Sequence, residues 1–213
     1  MQKYFFYCLS LILIFLICLG VSIQVKEFYK IEGDYLSSFS TLIAALVAFV
    51  LYKDWREEYV LNLYVESQKN INLLFKDVIE TSRHMNDYLK KIIKSDEDIF
   101  DFDKYNDNIM MFIENAELLL LEIDNQKMLF KKLQKKIKLN NDLYIFLNVI
   151  DLKIMKRINA IGENRTGTAK EMCEYVIASF EPSNEKPFVN ELYEYRYMLR
   201  KCNEEVVSKY LDK

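Results

Sequence analysis

Histidine, glycine, proline and tryptophan are scarce in this chain of 213 residues, which holds one His, four Gly, two Pro and one Trp. Because His84 stands alone, a histidine-based metal cluster or a histidine-containing catalytic triad has no second member to draw on. Of the four cysteines, Cys8 and Cys18 fall in the first apolar run, while Cys173 and Cys202 lie far apart with no C-x-x-C spacing. A zinc or disulfide framework is therefore not expected, and these residues read as small buried hydrophobes of a reducing compartment. Glycine occurs only at 20, 33, 162 and 167 and proline only at 182 and 187, so nothing from Asp34 to Ile161 breaks a helix. Gly162 to Gly167 has the GxxxxG spacing of a phosphate loop. However, Thr168-Ala169 follows where lysine and a hydroxyl residue are needed, and an apolar helix precedes it instead of a strand. An ordinary turn between helices is expected there. Asp96, Asp98, Asp101 and Asp103 lack the glycine and the closing glutamate of a calcium loop and read as a solvated turn. No catalytic residue, metal site or cofactor is expected, and the chain reads as a non-enzyme.

What the sequence has in abundance is apolar surface, at 51% of residues, concentrated at the start. Tyr4 to Ile23 is an uncharged run, and a second runs from Leu36 to Tyr52; each is about the length that crosses a hydrocarbon core of roughly 30 Å. The spacing predicts a transmembrane hairpin over 1–56, with spans at about 4–23 and 36–52. The small-x-small triplet Gly20-Val21-Ser22 leaves cleavage of the first run open. Ala44, Ala45 and Ala48 would allow close helix packing in the second span, hence a homo-oligomer. Tyr52 and Trp55 supply interfacial rings, and Lys53 and Arg56, around Asp54, the charges of a juxtamembrane anchor. The positive-inside bias then puts both ends in the cytoplasm of a multi-pass inner-membrane protein.

Beyond the junction the periodicity changes to that of packed helices. Leu61, Tyr64, Gln68, Ile71, Phe75, Val78, Ser82, Met85, Leu89 and Ile92 recur at alternating three and four residues. A second series runs from Ile109 through Phe112, Ala116, Leu119, Ile123, Gln126, Phe130 and Leu133 to Ile137. A third apolar face starts at Leu143 and stops at Ile161-Gly162, a shorter helix covers about 168–180, and Leu192, Tyr195, Leu199, Cys202 and Val206 mark the last. The fold class expected is all-α: the hairpin, its second span continuing into an antiparallel cytosolic bundle of four or five helices over 57–213.

Lys131, Lys132, Lys135 and Lys136 cluster near a helix end, where they complement the helix dipole or form a contact patch for anions. With a net charge of -3 and no stacking aromatics interleaved, direct nucleic-acid binding is not expected. Protein docking through the tyrosines of the last helix, Tyr193, Tyr195, Tyr197 and Tyr210, is the alternative.

At the junction, a run ending Leu51-Tyr52 and followed by Lys53-Asp54-Trp55-Arg56-Glu57-Glu58 and a long helix resembles the small two-transmembrane effectors of bacterial anti-phage systems, including those encoded beside retron reverse transcriptases. The resemblance covers about the first 70 residues. It implies an abortive-infection effector acting on the lipid bilayer, held inactive by a protein partner such as a reverse transcriptase-nucleic acid complex and perturbing the membrane on release. The other reading is an anchor, sensor or scaffold whose bundle binds a protein partner.

Overall fold

The structure is a computed structural model. It describes residues 12–28 except 14, 18, 21 and 25, and then 35–94, 101–135, 139–163, 167–183 and 186–211, leaving aside the side chains at 35–39, 54 and 163. Five helices follow from Tyr35: α1 (Tyr35–Lys94), α2 (Phe102–Gln134), α3 (Asp142–Glu163), α4 (Ala169–Phe180) and α5 (Phe188–Leu211). No strand occurs among the described residues.

Among the described residues no helix is long and apolar enough to cross a membrane. This overturns the transmembrane hairpin and the multi-pass inner-membrane placement drawn from it. The run at 4–23 lies largely outside the described residues. The run at 36–52 is helical throughout and passes without a break into the charged residues from Lys53.

The chain divides into two compact units, Met1–Glu58 and Tyr59–Lys213. In the first, the helix leaves Leu42, Leu46, Phe49, Leu51, Tyr52 and Trp55 exposed. The second unit is a helical bundle, and its core follows the heptads. Leu61, Tyr64, Ile71, Phe75, Val78, Met85 and Leu89 of α1 are buried, as are Ile109 to Leu133 of α2 at the expected steps. Phe112 of α2, Phe180 at the end of α4 and Phe188 at the start of α5 meet edge to face, with ring centroids 5.1 Å (112 to 180), 5.3 Å (180 to 188) and 6.4 Å (112 to 188) apart.

Local chemistry sets the helix ends. Asp101 accepts from the Lys104 amide at 3.1 Å to start α2. Thr168 and Glu171 form a reciprocal capping box at the start of α4. Gly167, at φ 152, turns the chain into it; a Cβ there would lie 3.0 Å from the Glu171 carboxylate. Gly167, the second glycine of the GxxxxG spacing, thus serves a helix start. Pro182 ends α4 by forcing Glu181 out of helical geometry, and the Pro187 carbonyl accepts from the Asn190 and Glu191 amides to open α5.

Candidate interaction surface

Helix α3 carries two apolar series. Leu143, Leu147, Ile150, Ile154 and Ile161 face the core, while Ile145, Val149, Leu152 and Met155, at steps of four and three, stay exposed. Leu152 is 72% exposed. This second series runs into an open cavity of about 620 Å³, where Leu152, Met155 and Ala160 of α3 face Tyr175 and Ala178 of α4 and Pro182 beyond it. The lining bears two cations, Lys156 and Arg157, and no carboxylate.

Arg157 is only 3% exposed and is held from α5: its guanidinium sits 5.3 Å from the Phe188 ring centroid, and Nη2 lies 3.8 Å from Glu191 Oε2. Lys153 Nζ donates to the other oxygen of Glu191 at 3.2 Å. Glu191 therefore meets both cations. With the exposed Lys156 on the rim, the groove has an apolar floor beside a cation, which suits an amphipathic helix carrying Asp or Glu. Among the described residues, no group of three or more His, Cys, Asp or Glu is placed to hold a metal ion.

The residues singled out from sequence fall elsewhere. Tyr52 and Trp55 have ring centroids 6.2 Å apart, and both are exposed, as are Lys53 and Arg56; the side chain of Asp54 lies outside the description. Ala44, Ala45 and Ala48 are exposed along the same helix. Lys131, Lys132 and Lys135 are exposed on α2 and beside it, while Lys136 lies outside the described residues. Lys131 is already engaged: Nζ lies 4.6 Å from the Tyr144 ring centroid, and its hydrogen bond holds that phenol below the usual value. The α5 tyrosines divide between roles. Arg83 sits over Tyr193 at 5.2 Å and Tyr195 packs edge-on against Phe146 at 5.8 Å, while Tyr197 is exposed.

The groove itself escaped the sequence reading. Its signal was the second apolar series on α3, offset from the first, which periodicity alone does not distinguish from a broad buried face. A buried polar node was also missed. The Tyr64 hydroxyl (α1) and Gln126 Nε2 (α2, 3.0 Å) both donate to Asn203 Oδ1 of α5, and all three residues are fully buried. Burial pushes the Tyr64 phenol far above its ordinary value. No family model, curated protein or solved structure matches the chain.

Proposed function

We propose that this chain is a partner-binding helical protein, a sensor or scaffold whose bundle takes an acidic amphipathic helix of another protein into the groove between α3 and α4. One observation carries the reading: Ile145, Val149, Leu152 and Met155 form an exposed apolar series that opens onto a cavity lined by Lys156 and Arg157. Covering a leucine as exposed as Leu152 contributes about 1.5–3 kcal/mol, and the basic rim selects the sign of the visitor. An effector held inactive by a partner, as the junction resemblance implies, would use the same groove, because a partner biases two states only by binding one of them better.

The test places a photo-crosslinking amino acid at Leu152 in producing cells and, as control, at Lys170, with the adduct peptides mapped. A peptide with one apolar face and Asp or Glu beside it, crosslinked at 152 and lost when Met155→Lys is added at unchanged melting temperature, is the expected result. Adducts equally abundant from position 170, or indifferent to Met155→Lys, would remove the groove as the docking site.

A further inference from the structure

The outer face of α2 is ordered in a way the bundle does not use. Along it stand Asp107, Met111, Glu114, Leu118, Leu121, Asn125, Met128 and Lys132, alternating four and three residues apart. At 100° per residue this series lies roughly 150° round the helix from the buried one that begins at Ile109. Its apolar members are open: Met111 is 43% exposed, Leu118 52%, Leu121 62% and Met128 51%. It is a second heptad seam, acidic at its start, apolar in the middle and basic at its end.

We infer that this seam pairs antiparallel with the same seam of a second copy of the chain, across a two-fold axis between Leu118 and Leu121. In that register each layer finds a complement, with a positions facing d positions as an antiparallel coiled coil requires. Leu118 meets Leu121 of the second copy, and Met111 meets Met128. Glu114 meets Asn125, whose amide can donate to the carboxylate and so penalises a slipped register. Asp107 meets Lys132. Parallel pairing would instead set Asp107, Glu114 and Lys132 each against its own kind. A different partner would need the same order of acid, apolar and base in reverse, and α2 itself supplies it. Self-complementarity of one patch is what a two-fold interface demands. No residue of this seam lines the groove between α3 and α4, so the dimer and partner docking can fail separately.

The experiment is sedimentation of the full chain over a dilution series. Wild type is expected to dissociate from dimer to monomer on dilution. Asp107→Lys and Lys132→Asp should each weaken the dimer at least about tenfold, since each puts like charges together in two symmetric layers. The double variant Asp107→Lys with Lys132→Asp restores both pairs and should return to within about threefold of wild type. Leu121→Lys should give monomer. All these positions are exposed, so circular dichroism and melting should stay at wild-type values. A wild-type monomer at every concentration, an oligomer indifferent to the single reversals, or a double variant no tighter than the singles overturns the inference.

Discussion

Asn203 holds more of the bundle together than its size suggests. Its Oδ1 receives hydrogen bonds from Tyr64 and Gln126, on two other helices, in a site with no exposure. Truncating it leaves two buried donors without an acceptor, and an orphaned buried donor costs about 1–3 kcal/mol. Asn203→Ala should therefore lower unfolding free energy by about 2–4 kcal/mol in urea titrations. Tyr64→Phe, which removes one donor and leaves Gln126 paired, should cost only about 0.5–1.5 kcal/mol. Equal losses in the two variants would show that the node is not shared. Gln126 could be placed on the buried face from its heptad position alone. Its acceptor could not, because Asn203 lies 77 residues away and nothing local marks it.

At the level of elements, α2 and α3 are pinned by Lys127. Its Nζ donates to Asp151 Oδ2 of α3 at 2.7 Å and to Asp124 Oδ1 at 3.0 Å, and the residue is only 8% exposed. Burial pulls its pKa down, but the hydrogen bonds to Asp151 and Asp124 outweigh that and hold it raised. Asp151→Ala takes one carboxylate from a mostly buried ammonium and should cost about 1–2 kcal/mol, toward the low end because Asp151 is itself partly solvated. Lys127→Leu with Asp151→Leu removes both charges and should cost less than the sum of the two single changes. A double-mutant cycle by urea denaturation checks this, and strict additivity would mean that the pair transmits no coupling between the helices. Lys127 stands outside the heptad series of α2. Only the approach of α3 turns it into a buried pin.

Across the whole molecule, several ionisable groups are buried in their neutral forms. Burial pushes Tyr105 from 10.0 to about 12 and Cys173 from 9.0 to about 11, and raises Tyr64 further still. All three pKa values are raised in the folded state. The stability they contribute is therefore present in full below the unfolded values of 9.0 and 10.0 and is lost as pH climbs toward 11 and 12. The urea midpoint should hold level from neutral pH to about pH 9 and then fall through the alkaline range. Tyr105→Phe should flatten that fall while changing the neutral-pH midpoint less. An alkaline profile identical in Tyr105→Phe and wild type would rule Tyr105 out as a source.

The sequence by itself determined that the described part of the chain is helical, roughly where the breaks between helices fall, and most of the heptad positions that enter the core. These are local properties: without glycine or proline a helix has nothing to stop it, and apolar residues repeating near every 3.5 residues make a face that must be covered. Apolar content over the first fifty residues was local too, and it pointed to membrane spans that no described helix is long and apolar enough to form. The tertiary structure alone decided that Ile145, Val149, Leu152 and Met155 of α3 stay uncovered. It also decided that Lys127 and Arg157 lie inside, and that Asn203 collects donors from two other helices. Periodicity gives the spacing of a face but not its neighbour. A charge or amide enters a core only when a partner from a distant part of the chain arrives to satisfy it.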